Sequence, residues 1–305
     1  MPEAQQYLDA DTLTKIERLD LKARLIVEGY ISGLHRSPYH GFSVEFAEHR
    51  EYSPGDDLKH LDWKVFGKSD RYYIKQYEEE TNLRSYFLLD VSQSMCYRGK
   101  NAISKLEYGK YIIASLAHLL LRQQDSVGLV TFDHKAGMRI PASSSPAHKR
   151  TILENLARID ETEIGPEQKT DTSLVFHDLA EWMRRKGLVV IVSDLFDDAE
   201  KILFGLQHFR HKRHEVVVFQ VLDDDEIRFP FQDMTLFEGL EEMPELLSDP
   251  RALRDGYIEA FERFTDRVRS GCRNSKIDFV RVNTGDPLDV VLSAYLATRA
   301  SSRNL

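Results

Sequence analysis

The chain has 305 residues, of which 42% are hydrophobic and 30% are charged, a composition typical of a globular protein with one large domain and an extension. Its 50 acidic residues outnumber its 41 basic ones, and the resulting net charge of −9 argues against a general nucleic-acid-binding surface. Two cysteines are too few for a disulfide scaffold and fit a reducing compartment.

The sequence also lacks the signals of membrane insertion and export. No stretch of it reaches the roughly 18 apolar residues that a membrane-spanning helix needs. Glu3, Asp9 and Asp11 stand near the start, where a signal peptide would be basic and then apolar. We therefore expect a cytoplasmic protein without a membrane span.

The first quarter of the chain predicts a helix followed by a small β-rich region. Apolar side chains recur at three- and four-residue steps through residues 13–30, the spacing of an amphipathic helix. Residues 37–80 instead carry aromatic residues in short strand-like runs, separated by a Pro-Gly-Asp turn within residues 52–57. We assign residues 1–81 to this N-terminal helix and β-rich extension, and residues 82–305 to a separate domain.

From residue 82 onward, strand-like and helix-like segments alternate along the chain. Short apolar runs predict strands at 85–89, 127–132, 188–192, 215–222 and 277–282, with 138–140 as an antiparallel hairpin partner. Longer periodic segments predict helices at 103–122, 146–159, 172–185, 199–209, 253–268 and 287–297. This alternation predicts a doubly wound α/β domain, with a mostly parallel sheet covered by helices on both faces.

Oxygen-bearing side chains stand at three places where the chain should turn over one edge of that sheet. They are Asp90, Ser92 and Ser94 after the first strand, Thr170 and Thr172 before a helix, and Asp194 after the strand at 188–192. Ligands of open parallel sheets collect beyond the carboxyl ends of the strands. Carboxylate and hydroxyl oxygens suit a hard divalent cation, so these residues predict a metal site.

These residues carry a resemblance to a known domain. The run from Asp90 to Ser94 matches Asp-x-Ser-x-Ser, and with Thr170 and Asp194 in order the sequence resembles a von Willebrand factor type A domain with its metal-ion-dependent adhesion site. The resemblance implies that Asp90, Ser92, Ser94, Thr170 and Asp194 hold Mg²⁺, with Mn²⁺ or Ca²⁺ as alternatives. It also implies an open coordination position for a partner's carboxylate. Thr172 is the fallback for the threonine, and Leu195 stands where a glycine often follows the aspartate.

A second resemblance begins in the upstream region and runs through the strand at 215–222. Gly33–Ser37, Gly41–Phe46, Arg50–Asp57 and Asp62-Trp63 precede the type A motif in order, and together with it they resemble the bacterial domain of unknown function 58 family. Members are typically encoded beside MoxR-type AAA+ ATPases and are thought to act with them in assembling or activating other proteins. The resemblance implies a non-enzymatic interaction module whose partners are such an ATPase and its client.

Several alternatives stay open at this point. Ser92 and Ser94 could cap the following helix instead of binding metal. The same site could serve a metal-dependent phosphoester hydrolase, or a scaffold in which the N-terminal region occludes a structural metal. Asp56 and Asp57 form a turn in the simpler interpretation and flank the metal crevice in the sharper one, where they and Thr172 are the candidate partner-binding residues. The acidic run 223–226 follows a strand and could lie on the ligand face, although a solvated loop is the simpler interpretation.

Overall fold

A computed structural model of the chain describes residues 10–34, 49–51, 73–75, 83–101, 103–165, 172–237 and 246–302. The chain divides into two compact units, Met1–Gly33 with Leu83–Leu305, and Leu34–Asn82. The predicted division into 1–81 and 82–305 differs from these units in where it places the N-terminal helix, which lies in the larger unit. In the smaller unit, strands β1 (His49–Glu51) and β2 (Tyr73–Lys75) pair antiparallel.

The larger unit follows the predicted alternation of helices and strands. Its described helices are α1 (Ala10–Leu34), α2 (Lys105–Arg122), α3 (His148–Arg158), α4 (Thr172–Trp182), α5 (Ala199–His211), α6 (Asp224–Arg228), α7 (Pro250–Asn274) and α8 (Leu288–Ser302). Its described strands are β3 (Arg84–Asp90), β4 (Ser126–Phe132), β5 (Ala136–Ser143), β6 (Leu188–Ser193), β7 (Glu215–Leu222), β8 (Thr235–Phe237), β9 (Leu246–Ser248) and β10 (Asp278–Asn283). Among the described helices, none is long and apolar enough to cross a membrane.

The main sheet has the strand order β10-β7-β6-β3-β4-β5, and all of its neighbouring strands are parallel except β4 and β5. The chain adds β4 and β5 on one side of β3, and then crosses to add β6, β7 and β10 on the other. The strand order therefore reverses between β3 and β6, which is where ligands of doubly wound sheets bind. The predicted fold class is confirmed.

Strand β3 packs into hydrophobic cores on both faces of the sheet because successive side chains of a strand point in opposite directions. Phe87 and Leu89 join a cluster formed with α1, α2, α3 and α8. Tyr86 and Leu88 join a second cluster formed with α4, α5 and α7. A strand that is buried on both faces has apolar side chains at nearly every position. The apolar run of β3 therefore ends at Asp90, where the strand reaches the edge of the sheet.

Helix α1 is the predicted N-terminal helix, and it extends beyond the predicted bounds at both ends. Leu19 and Ala23, four residues apart on one face, are buried in the same cluster as Phe87. Residues at this spacing lie one above the other on a helix, so their burial fixes the face that α1 turns to the sheet. This packing places α1 in the larger unit.

The start of β6 leaves no room for a side chain. Gly187 precedes β6, and a Cβ atom there would lie 2.3 Å from the backbone carbonyl oxygen of Arg84 at the start of β3. We expect Gly187→Ala to lower the free energy of unfolding by about 1–3 kcal/mol, because the two backbones must separate to accept the methyl group. Urea denaturation measures the change.

Gly256 provides the matched control for that substitution. It lies within α7, and a Cβ atom there would meet nothing within 4 Å. Gly256→Ala should raise the free energy of unfolding by about 0.5–1 kcal/mol, since alanine favours the helix over glycine. Equal effects of the two substitutions would contradict the close approach of β3 and β6.

Candidate metal centre

The first part of the candidate centre is the loop that leaves the carboxyl end of β3. Asp90 is the last residue of β3, and its Oδ1 accepts a hydrogen bond of 2.9 Å from the backbone N–H of Ser92. Ser92 precedes a short 3₁₀ helix, Gln93–Cys96, but its side chain makes no capping hydrogen bond to that helix. Ser92 is therefore not used as a helix cap, one of the alternatives to metal binding.

The hydroxyls of Ser92 and Ser94 lie side by side and are buried. Their Oγ atoms are 3.0 Å apart and share a hydrogen bond in which either hydroxyl can be the donor. Mg²⁺ binds oxygen at 2.0–2.1 Å in octahedral geometry, so neighbouring ligand oxygens are separated by about 2.9 Å. The hydroxyl pair thus has the spacing of one edge of a magnesium octahedron.

The end of β6 meets this loop directly. Ser193, the last residue of β6, donates a hydrogen bond of 2.5 Å from its Oγ to Asp90 Oδ2. Asp194 follows at once and is almost completely buried, and its Oδ1 accepts a hydrogen bond of 3.2 Å from the Phe196 N–H. The structure thus brings Asp90 and Asp194 to the same edge of the sheet, as their positions after two parallel strands predict.

Leu195 adopts a left-handed backbone conformation although it is not a glycine. Its φ of 61° lies in the left-handed region, which costs a non-glycine residue roughly 1–2 kcal/mol. Its side chain is buried in the second hydrophobic cluster, which stabilises the fold by about 1.5–3 kcal/mol. Burial of the leucine side chain offsets the cost of its backbone conformation, so the left-handed turn forms without a glycine.

A third chain segment reaches the site through a buried lysine. Lys105 is the first residue of α2, and its Nζ lies 2.7 Å from Asp194 Oδ2 and 2.5 Å from Glu226 Oε1. Burial lowers the pKa of Lys105, but the charges of Asp194 and Glu226 outweigh this and raise it overall. Lys105 is therefore a permanent cation beside the candidate centre.

The side chains at the carboxyl ends of β3 and β6 enclose a small cavity of about 20 Å³, roughly the space that one water molecule needs. Its lining is mostly polar and consists of Asp90, Ser92, Ser94, Phe132, Asp133, Thr172, Ser193, Asp194, Leu195 and Phe196. Thr172, the fallback residue, is thus at the site, and its N–H donates to Asp197 Oδ2 at 3.1 Å. Thr170, Asp56 and Asp57 lie outside the described residues.

The electrostatics of the cavity favour a cation. Burial, and next the charge of Asp194, raise the pKa of Asp90 to about 7, although hydrogen bonds from Ser193 and Ser92 lower it. The chemistry of the donor set, two carboxylates and neighbouring hydroxyls, fits Mg²⁺ and would also accept Mn²⁺ or Ca²⁺. Within the described ranges, no group of three or more His, Cys, Asp or Glu side chains has metal-holding geometry.

The sequence motifs do not predict the contacts of Ser193 and Lys105 at this site. Of the two interpretations of the run 223–226, the solvated loop is wrong: Asp223 is fully buried and caps α6, and the Glu226 side chain is only 14% exposed. The loop interpretation is wrong because Lys105 supplies a buried counter-charge. The one local signal was Lys105 itself, since a lysine directly after the N-cap Ser104 opposes the helix dipole.

Comparison with known proteins agrees with the upstream motifs. The family model described as "Protein of unknown function DUF58" matches residues 48–266, more than half of the chain. The chain belongs to the DUF58 family. Among its relatives, this DUF58 chain is 25% identical over 256 residues to the uncharacterized protein Rv1480 of Mycobacterium tuberculosis, covering 83% of this chain and 78% of the relative. The uncharacterized protein Mb1516 of Mycobacterium bovis gives the same values.

Solved structures similar to this DUF58 chain include two at low sequence identity. BatB from Bacteroides thetaiotaomicron aligns with a TM-score of 0.48 and 18% identity, covering 72% of this chain and 99% of BatB. The VWA domain of SpRpn10 aligns with a TM-score of 0.36 and 10% identity, covering 71% of this chain and 94% of that domain.

Proposed function

We propose that this DUF58 chain is a non-enzymatic, metal-dependent protein-interaction module. Asp90, Ser92, Ser94 and Asp194, with Thr170 or Thr172, would hold Mg²⁺ at the carboxyl ends of β3 and β6. The observation that carries the proposal is the pair of buried serine hydroxyls 3.0 Å apart, with Ser92 making no capping bond. When bound, the metal supplies a coordination position for an Asp or Glu carboxylate of a partner.

The rim of the site is suited to contact with another protein. Phe196 is 41% exposed although it is a large apolar side chain, and it lines the same cavity as Asp90. Its ring lies 4.7 Å from Lys105 Nζ, an orientation favourable to both groups. An aromatic anchor beside a charged site is a common arrangement in protein interfaces.

We further propose that the partners are a MoxR-type AAA+ ATPase and its client, with the ATPase supplying the energy. The support is membership of the DUF58 family, to which the sequence motifs also point. The chain has no Gly-x-x-x-x-Gly-Lys-[Ser/Thr] phosphate-binding loop of its own. The cytoplasm, where such an ATPase works, is the proposed location.

The proposal is tested with the purified MoxR-type ATPase of the same organism and immobilised DUF58 chain. We expect retention of the ATPase in Mg²⁺, loss of retention in EDTA, and at least a tenfold loss with Ser92→Ala/Ser94→Ala. Ser115→Ala is the control, because Ser115 is equally buried but bonds only within α2, to the Tyr111 carbonyl. Retention that survives both EDTA and the double substitution would refute the proposal.

The small volume of the cavity favours a second candidate, a scaffold whose metal is structural. In that case Mg²⁺ would raise the melting temperature while the ATPase failed to bind in either condition. A phosphoester hydrolase stays the alternative of a different class. Turnover of p-nitrophenyl phosphate that Asp90→Asn abolishes would favour it, although Ser92 stands where such enzymes carry a second carboxylate.

A further inference from the structure

Lys105 occupies a position that stability alone does not explain. Its side chain is fully buried, and its ammonium group bonds to Asp194 and Glu226, which come from 89 and 121 residues further along the chain. Burying such an ion triad costs several kcal/mol per ion before the pairing is counted, so an apolar cluster would often be as stable. Lys105 is also at the N-terminus of α2, where the helix dipole disfavours a cation.

The negative charges around the cavity explain why a lysine is buried next to it. Asp90 and Asp194 are buried, and Lys105 is the buried cation that bonds to Asp194 and to Glu226, whose side chain is 14% exposed. These three carboxylates and the lysine have a net charge of −2 when all are ionised. Asp133 also lines the cavity, but its side chain is 23% exposed and lies 3.2 Å from His134. Water screens the partly exposed Asp133 more strongly than the carboxylates that Lys105 contacts, so Asp133 contributes less to the local field.

We propose that Lys105 determines the ion specificity of the metal centre. By neutralising one carboxylate charge, it leaves the group with a net charge that suits a divalent cation. The proposal rests on the proposed function, since it presupposes that the centre binds metal. Without the lysine, the same carboxylates would carry a net charge of −3 and would suit a trivalent ion. Lys105 also holds Asp194 Oδ2, so it orients that carboxylate as well as neutralising it.

The physical reason is that Coulomb energy scales with the product of the charges. Removing one positive charge strengthens the binding of every cation, and it does so more for a trivalent than for a divalent ion. The ratio of the affinities for Tb³⁺ and Mg²⁺ therefore reports the net charge of the site. A residue that only supports the fold would change both affinities together and leave that ratio constant.

The experiment measures this ratio by Tb³⁺ luminescence titration with Mg²⁺ competition at pH 8. Lys105→Met should raise the ratio about tenfold or more, and Glu226→Gln should lower it to a similar extent. The double variant has the original net charge and should return the ratio to within about threefold of the wild-type value. Lys110→Met is the control, because Lys110 is a buried lysine of α2 that bonds to the Ile159 carbonyl instead.

The outcomes separate the two proposals. Ratios within twofold of wild type for both Lys105→Met and Glu226→Gln, or no return in the double variant, would overturn the role of Lys105. A wild-type chain that binds neither ion, or whose binding survives Ser92→Ala/Ser94→Ala, would instead overturn the metal centre. If circular dichroism shows Lys105→Met to be unfolded, the direction of change in Glu226→Gln alone decides the question.

Discussion

Asp90→Asn is expected to abolish the stabilisation that Mg²⁺ confers and to weaken Mg²⁺ binding at least about a hundredfold. At a Mg²⁺ concentration about a hundred times its dissociation constant, the wild-type chain should gain about 2.7 kcal/mol in free energy of unfolding. A carboxylate about 4 Å from a unit charge contributes about 4 kcal/mol near a protein surface, so its removal exceeds that gain. Melting curves with and without Mg²⁺ measure the difference.

Without Mg²⁺, the same substitution should not destabilise the protein. Asparagine retains the shape of the side chain, so its oxygen can accept from the Ser92 N–H and its amide can face the Ser193 hydroxyl. It also removes a buried charge that burial and Asp194 both disfavour. Asp90→Asn should therefore lower the free energy of unfolding only when Mg²⁺ is present, because residues kept for function are often unfavourable for the stability of the unliganded protein.

Asp125→Asn is the matched control for this test. Asp125 is at the opposite end of the sheet, where its Oδ1 accepts a hydrogen bond of 3.0 Å from the N–H of Leu83, just before β3. The response of this variant to Mg²⁺ should equal that of the wild type. A Mg²⁺ response in Asp90→Asn as large as in Asp125→Asn would show that Asp90 does not hold the ion.

Phe176→Ala should cause the largest loss of stability among core substitutions on the α4 face, about 3–5 kcal/mol. Phe176 is fully buried in α4, and its ring packs edge-on against Phe132 at 5.4 Å and tilted against Phe209 at 5.7 Å between centroids. Truncation leaves a cavity between α4, β4 and α5 that these rigid elements cannot close. Urea denaturation at a single Mg²⁺ concentration measures the loss.

Phe204→Ala makes the same chemical change on the neighbouring helix α5. Phe204 is 57% exposed and contacts the ring of His208, so its removal should change the free energy of unfolding by no more than about 0.5 kcal/mol. Similar losses from Phe176→Ala and Phe204→Ala would mean that the core between α4 and α5 is not packed as described.

Much of the fold could be predicted because its signals are local. The apolar runs 188–192 in β6 and 216–219 in β7 are typical of strands buried on both faces. The helical periodicity of α5, which lies between these two strands, separates them along the chain. The short elements α6, β8 and β9 were missed, since a few residues show no periodicity.

The sequence by itself determined that Asp90 and Asp194 stand at the ends of two buried strands, because an apolar run stops directly before Asp90 and another stops at Ser193, just before Asp194. It also determined the spacing of Ser92 and Ser94 on one tight loop. Only the tertiary structure decided that the end of β6 touches Asp90 through Ser193 and that Lys105 neutralises part of the site. Those contacts join residues about a hundred positions apart, so they depend on the order of strands in the sheet and on no local pattern.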